Sequence, residues 1–311
     1  MKAIVITATG DKDQLKFVEI PLPEIKDGEV LIQVKAFSIN PVDIKTRKGN
    51  AIYEKIAADG PVILGWDVSG VVTRSASDLF KTGDEVFGMV NFPGHGKAYA
   101  EYVAAPADQL ALKPANISHK EAAAATLAAL TAWQALVSNA GVKTGDRVLI
   151  QAAAGGVGHY AVQIAKHLGA FVIGTSSAQN KEFVLSLGTD QHLDYKAQAF
   201  ETVLKDLDLV LDAMGGDYID RSLEVIRPGG TLITLPSGLS EGIAKKSEAK
   251  KINGYHIMVK SNGKDMQSLA DLLEKGIIKS HVSQSFSFEE IKQAHEQIES
   301  GRTIGKIVVE F

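Results

Sequence analysis

The sequence predicts an α/β protein of two domains, one β-rich and one built on a doubly wound parallel sheet. Three observations carry this expectation. The chain of 311 residues is long for one compact core and suits two. Its texture changes near Ser118 from short alternating runs to helical patterns. A glycine-rich turn at 152–158 directly follows an apolar strand pattern and directly opens a helical one.

The opening run Met1-Lys2-Ala3-Ile4-Val5-Ile6 reads as a strand rather than a signal peptide. Short apolar runs then alternate with turn signals, as in Gly28-Glu29-Val30-Leu31-Ile32-Gln33-Val34 and Gly83-Asp84-Glu85-Val86-Phe87-Gly88, the spacing of an all-β, partly coiled domain. Ser118 followed by Glu121 is a capping-box start, and 122–139 is alanine-rich with Gly141 as a stop, which predicts a helix at the boundary. From Arg147 strands and helices alternate: Val148-Leu149-Ile150, a helix near 157–168, Phe171-Val172-Ile173, a helix near 179–187, a strand at 207–211, a helix near 218–226 and a strand at 231–235. These strands are continuous apolar runs, as expected when helices cover both sheet faces. The polar stretch 237–251, rich in Gly, Lys and Ser, reads as a mobile surface loop. Strand-like runs return after Lys279 and end in Gly305-Lys306-Ile307-Val308-Val309, so the tail is expected to fold back onto the first domain. The expected domains are 1–117, 118–262 and a return to the first at 263–311.

Composition narrows the function classes. A hydrophobic fraction of 45% and a charged fraction of 23% are ordinary globular values and disfavour disorder. No apolar run approaches the roughly 20 residues of a spanning helix, so no membrane role is expected and the default address is the cytoplasm. With no cysteine there is no disulfide, thiol nucleophile or thiolate zinc site. A net charge of -4 offers no basic face to nucleic acid.

The most informative segment is Gln151-Ala152-Ala153-Ala154-Gly155-Gly156-Val157-Gly158-His159-Tyr160. Gly155 lets the backbone approach a pyrophosphate, Gly158 lets the helix lie close to the strand, and the anion rests on the unpaired N–H groups of the helix start. Ala153 stands where the common G-x-G-x-x-G pattern has its first glycine. A site that prefers NAD usually places Asp or Glu at the end of the second strand to bond the ribose 2'-hydroxyl. Here that place is Thr175-Ser176-Ser177, where short hydroxyls leave room for a phosphate and Lys181 can supply charge. The expected cofactor is therefore NADPH. Ser176 and Ser177 as helix caps and Lys181 as a solvated lysine are the plain alternatives.

The chain resembles the zinc-independent quinone oxidoreductase and enone reductase branch of the medium-chain dehydrogenases/reductases, over essentially its whole length. The likeness rests on Ala36-Phe37-Ser38-Ile39-Asn40-Pro41-Val42-Asp43, Leu64-Gly65-Trp66-Asp67-Val68-Ser69-Gly70-Val71-Val72, Gly83 to Gly88, Ala98-Tyr99-Ala100-Glu101-Tyr102, Leu130-Thr131-Ala132-Trp133, the 152–158 turn and Gly305-Lys306-Ile307-Val308. It implies a GroES-like catalytic domain built from both chain ends with a Rossmann domain inserted between them. Zinc-bearing relatives use cysteines and a Gly-His-Glu histidine; this chain reads Gly65-Trp66-Asp67 there, so no metal site is expected. The resemblance places Asn40 beside the nicotinamide, puts Ser177, Lys181 and Tyr195 at the adenosine phosphate, and sets Thr131, Gly155, Gly156, Val157, Leu235 and Ser237 along the cofactor path. Asn40 with Pro41 and Asp43 is also a helix start.

The implied activity is hydride transfer to a quinone or an α,β-unsaturated carbonyl, with a small-molecule substrate and a homodimer left open. Donors for the developing oxyanion are sought in Asn40 and Tyr53, the latter also readable as packing. His95, flanked by glycine, reads as exposed and could shuttle protons. Asp67 either orders the site through hydrogen bonds or caps a strand end. A structural or RNA-binding role with NADPH held but not consumed, and reduction of saturated aldehydes, stand as alternatives.

Overall fold

The computed structural model describes residues 1–58, 60–236, 238 and 242–311. The chain divides into two compact units, Met1–Leu130 with Val259–Phe311, and Thr131–Met258.

In the first unit, β1 (Lys2–Ile6) lies between β2 (Leu15–Glu19) and β4 (Val62–Ile63), antiparallel to both. The larger sheet centres on β3 (Glu29–Ile39), buried along most of its length, which pairs antiparallel with β5 (Asp67–Ser75) and β7 (Tyr102–Pro106). Next come β6 (Glu85–Met89) and β8 (Leu110–Leu112) on one side, and β16 (Lys306–Glu310) with β15 (Val282–Ser287) on the other. The C-terminal strand thus sits directly beside β3, with Ile307 opposite Ile39. Between β3 and β5 the chain forms α1 (Pro41–Arg47) and α2 (Tyr53–Ala57); α9 (Gly263–Glu274) and α10 (Ile291–Glu299) belong to the returning segment.

The helix expected over 122–139 is three pieces: α3 (His119–Ala124), α4 (Leu127–Trp133) and a π-helical turn, Gln134–Asn139. The capping box is present, with Glu121 N–H donating to Ser118 Oγ at 3.2 Å. The break has two local causes. Thr126 Oγ1 donates to the Ala123 carbonyl at 2.7 Å, and the buried Asp67 carboxylate accepts from the Leu127 N–H at 3.0 Å, giving a new helix its own cap. Helix α3 packs its alanines against Ala36 and Val308, so it belongs to the first unit although it begins at the texture change.

The second unit is a six-stranded parallel sheet of β9 (Arg147–Ile150), β10 (Phe171–Ser176), β11 (Gln191–Asp194), β12 (Leu207–Asp212), β13 (Ile226–Thr234) and β14 (Asn253–His256). In space they run β11-β10-β9-β12-β13-β14. Counting from β9 this is the 3-2-1-4-5-6 order of the doubly wound dinucleotide fold, which reverses between β9 and β12. Helices α5 (Gly158–His167), α6 (Lys181–Ser186), α7 (Asp217–Leu223) and α8 (Ile243–Ala249) complete it. Its core gathers Leu149, Ile173, Leu193, Phe200, Val210 and Leu232. The architecture is the expected α/β pairing of a GroES-like unit and a Rossmann unit.

Two expectations need correction here. The stretch read as a loop at 237–251 contains α8, because Ile243 and Ser247, four residues apart, bury themselves on one helix face over Gly254 of β14. The edge strands β11 and β14 were not legible, since Gln191-His192-Leu193-Asp194 and Asn253-Gly254-Tyr255-His256 lack the apolar runs of the central strands. Among the described residues no helix is long and apolar enough to cross a membrane.

Candidate active site

In the second unit the chain leaves the central strand β9, turns through Ala152 at φ +49° and enters α5. The Ala153 N–H donates to the Thr175 carbonyl of β10 at 2.9 Å, which pins the turn to the sheet. Gly158 has no alternative: a Cβ there would overlap the Ala152 carbonyl oxygen and sit 2.8 Å from Ala153 Cα. The methyl of Ala153, standing in for a glycine, is accommodated by Gly174 on β10, where a Cβ would lie 3.0 Å from it. Gly155, Gly156 and Val157 alone of residues 153–160 are part-exposed, so the turn presents its backbone while its flanks are packed away. Buried His159, for which the sequence pattern offers no role, braces the turn by donating from Nδ1 to the Gly155 carbonyl at 2.9 Å. A turn that exposes backbone N–H groups at the start of a ten-residue helix fits a dinucleotide pyrophosphate.

At the carboxyl end of β10 the structure brings together most of the residues expected at the adenosine phosphate. Ser176 is buried, Ser177 is half-buried as the cap of a short 3-10 turn, and Lys181 begins α6 exposed to solvent. Tyr195 follows β11 with 49% of its surface exposed, an aromatic face open to a ligand. His192, which no sequence motif singles out, lies with Nε2 2.8 Å from Ser176 Oγ. Leu235 follows β13 and donates its N–H to the Asp212 carbonyl at 2.9 Å. Thr131 is buried in α4. Ser237 lies outside the described residues.

In the first unit Asn40 ends β3, caps α1 by position and is buried. Its backbone N–H donates to Asp43 Oδ2 at 2.7 Å, the reciprocal half of a capping box. The Asn40 side chain itself is committed elsewhere: Nδ2 donates to Asp67 Oδ2 at 2.7 Å, and Oδ1 accepts from Lys306 Nζ at 2.5 Å. Lys306 Nζ also donates to the Ile39 carbonyl at 3.1 Å and stands 3.9 Å from Asp67 Oδ2. Asp67 further accepts from Ser38 Oγ and the Leu127 N–H. Of the two readings of Asp67, the hydrogen-bonding one holds: it ties β3, β5 and α4 together around the amide. Opposite partners on its two ends leave the Asn40 amide one orientation and, among the described residues, one uncommitted N–H.

The electrostatics follow from burial. Asp43, fully enclosed, has its carboxyl pushed up to about 8; desolvation is the main cause and the charge of Asp67 adds to it, against the Asn40 N–H and Lys306. Burial pushes Lys306 down, opposed by Asp67 and Asp43. Beyond Asp43 runs a second buried line. Arg47 donates from Nη1 to His295 Nδ1 at 2.9 Å, so the neutral ring carries its proton on Nε2, 3.1 Å from the Tyr99 hydroxyl. Burial, helped by Arg47, holds His295 down at about 3. In the sequence Lys306 stands out only as part of a motif. The usable signal was a lysine opening the apolar run Ile307-Val308-Val309, since buried lysines come with partners.

Trp66 is wholly buried, donates from Nε1 to the Gly94 carbonyl at 2.7 Å and meets Phe92 edge-on at 5.4 Å. Gly65 before it, at φ +89°, leaves no room for a Cβ against the Tyr99 ring. Tyr53 opens the short α2, part-exposed, with its N–H on the Asn50 carbonyl at 3.1 Å. His95 departs from expectation: it is half-buried, with Nε2 3.1 Å from both the N–H and the carbonyl of Ile63, so backbone contacts hold the ring where solvent was expected.

Residues 26–115 match the alcohol dehydrogenase GroES-like domain, and residues 187–309 match the family described as zinc-binding dehydrogenase. The 2-methylene-furan-3-one reductase of Solanum lycopersicum is 34% identical over 321 residues, covering 99% of this chain and 79% of its own. The chloroplastic NADPH-dependent alkenal/one oxidoreductase of Arabidopsis thaliana is 35% identical with the same coverage. Among solved structures, the quinone oxidoreductase from Coxiella burnetii superposes with a TM-score of 0.94 at 36% identity, over 100% of this chain and 99% of that one. The Escherichia coli quinone oxidoreductase complexed with NADPH superposes at 0.86 with 26% identity, over 100% of both chains.

Proposed function

This chain belongs to the quinone and enone oxidoreductases of the medium-chain dehydrogenase/reductase superfamily, and from that premise we propose that it is an NADPH-dependent reductase of a quinone or an α,β-unsaturated carbonyl. The observation that carries the cofactor half is the pairing of the Gly155–Gly158 turn with a β10 that ends in Thr175-Ser176 and is followed by Ser177 rather than a carboxylate. The substrate half rests on the relatives, which are named for enone, alkenal and quinone substrates.

When bound, NADPH supplies a hydride to the electron-poor carbon of the substrate. The protein's part is to orient and to stabilise charge. Gly156 and Val157 would hold the pyrophosphate by backbone N–H groups, beside Gly155, whose own N–H donates to the Ala152 carbonyl at 2.8 Å. Ser177, Lys181 and Tyr195 would take the adenosine phosphate, with the buried Ser176 shaping the site behind them through its bond to the Ser177 carbonyl, and Thr131, Leu235 and Ser237 along the cofactor path. Asn40 has one N–H left over from its bonds to Asp67 and Lys306, and we assign that donor to the nicotinamide end or to the developing oxyanion. Tyr53 is the second candidate donor.

The chemistry is proposed to need no metal, although one matched family is named for zinc. The chain has no cysteine, and by the family resemblance Trp66, whose indole is buried, stands where zinc-bearing relatives carry the imidazole ligand. A cytoplasmic address and a homodimer remain part of the proposal, to be tested by fractionation and light scattering, because some relatives are chloroplastic or mitochondrial. Steady NADPH oxidation with a quinone or an enone and none with hexanal is the expected result. Oxidation with hexanal at a comparable rate would move the reaction to saturated aldehydes. NADPH binding without turnover of any of the three would favour a structural role.

A further inference from the structure

One titratable group at the edge of the parallel sheet has no part in the chemistry above. His192 lies on β11 opposite Gly174 of β10, and its Nε2 is 2.8 Å from Ser176 Oγ. Ser176 Oγ is also 3.0 Å from the Ser177 carbonyl oxygen. A hydroxyl has one hydrogen and a carbonyl can only accept, so Ser176 donates to Ser177 and accepts from an Nε2–H of His192. Nδ1 is then the nitrogen free to bind a second proton. Two charges face the ring: Lys181 at the start of α6, and Asp194 two residues along β11, paired in register with Ser176. Tyr195 and Lys196 follow, with Lys196 Nζ 6.0 Å from the centre of the Tyr195 ring.

Ser176 and Ser177 stand where a ribose 2'-substituent is read in this fold. We propose that His192 is the proton-binding member of the 2'-phosphate site, so that NADPH takes up a proton from solvent on this ring as it binds and NADH does not. The inference rests on the NADPH reading given above. In the free chain, burial first and Lys181 second hold the imidazole below its usual value, with Asp194 opposing, so it is neutral at pH 7.5. A phosphate dianion reverses the balance, since a nearby opposite charge favours the charged imidazole. The neutral ring spares the protein a second positive charge beside Lys181 when the site is free. The charged ring adds a cation only when the phosphate is there to meet it. His192 thereby sets cofactor selectivity, and the NADPH to NADH affinity ratio should rise about three- to tenfold from pH 8 to pH 6.5. That window stays above the phosphate's own pKa of about 6.

The test is calorimetric titration of the full chain with NADPH and with NADH at pH 7, in two buffers of different ionisation enthalpy. The wild type is compared with His192→Gln and Lys181→Ala. Wild type should take up a proton fraction of up to about one per NADPH and none per NADH. His192→Gln should abolish the uptake and weaken NADPH severalfold, with unchanged NADH affinity as its folding control. Uptake that persists in His192→Gln, or equal uptake with both cofactors, overturns the inference. Lys181→Ala separates this from the reading beneath it. An equal loss of NADPH and NADH affinity would mean that the phosphate does not sit here at all. A loss confined to NADPH, with uptake unaltered in His192→Gln, would retain the site and remove the histidine. Should His192→Gln fail to fold, the His192 ring proton resonance of the wild type decides the same question: its midpoint must rise on NADPH and stay put on NADH.

Discussion

Replacing Asp43 by Asn tests the electrostatics beneath Asn40 most directly. Asparagine keeps an oxygen to accept the Asn40 N–H, now held at 2.7 Å, and deletes only the titrating proton. The folded carboxyl sits at about 8 against an ordinary 3.8, chiefly through burial. A raised carboxyl pKa means that the folded state binds the proton more tightly. Its stabilisation is therefore complete below the ordinary value and is lost progressively as pH rises through about 8. One proton corresponds to about 1.4 kcal/mol per pH unit, so the wild type should lose about 3 kcal/mol from this group between pH 5 and pH 7. His295, held at about 3 by burial, works in the opposite sense: its contribution is lost as pH falls below the ordinary histidine range. It is present in both proteins and cancels in their difference. The assay is urea unfolding at several pH values, followed by Trp66 fluorescence in a Trp133→Phe background so that the first unit alone reports. The stability of Asp43→Asn minus that of wild type should climb by about 3 kcal/mol over those two pH units and level off above pH 8. Parallel pH profiles for the two proteins would refute the reasoning, because they would mean that Asp43 is ionised throughout.

Three further outcomes follow from the site. Gly158→Ala must push α5 away from the turn; about 1–3 kcal/mol of stability and at least tenfold in NADPH affinity should be lost, and a wild-type melt with wild-type binding would contradict the packing argument. Asn40→Asp puts a carboxylate against Asp67 Oδ2 where an N–H now bonds it, so single-turnover NADPH oxidation with an enone should fall about 10²- to 10³-fold. The same variant should lose about 1.5–3 kcal/mol of stability, more than a helix cap alone would predict, and wild-type hydride transfer in folded protein would remove Asn40 from the chemistry. Prolonged chelation should leave turnover and the melting temperature unchanged, whereas one tightly bound zinc per chain with activity lost on its removal would show that Trp66 does not stand in a ligand's place.

Much of the second unit could be read from local pattern. Its central strands are apolar runs because both their faces are covered, and burial on both faces leaves its mark on every residue in turn. The turn at 152–158 was legible because a strand, small residues and an amphipathic helix must occur in that order for a backbone to meet a phosphate. The absence of cysteine and of a carboxylate after β10 limited the ligand chemistry before any fold was known. Tertiary structure decided the rest. The edge strands β11 and β14 exist through pairing with β10 and β13, and a strand with an open edge and polar faces carries little apolar signal of its own. The alanine-rich helix is cut at Ala125 because a carboxylate 60 residues earlier in the chain caps Leu127. Asn40 looked like a helix cap, yet its amide is held by Asp67 and by Lys306, which lies 266 residues away. Periodicity reports which face of an element is buried, and it is blind to the partner that burial brings. Where a lysine near one end of the chain meets an asparagine near the other, only the folded sheet that sets β16 beside β3 can say so.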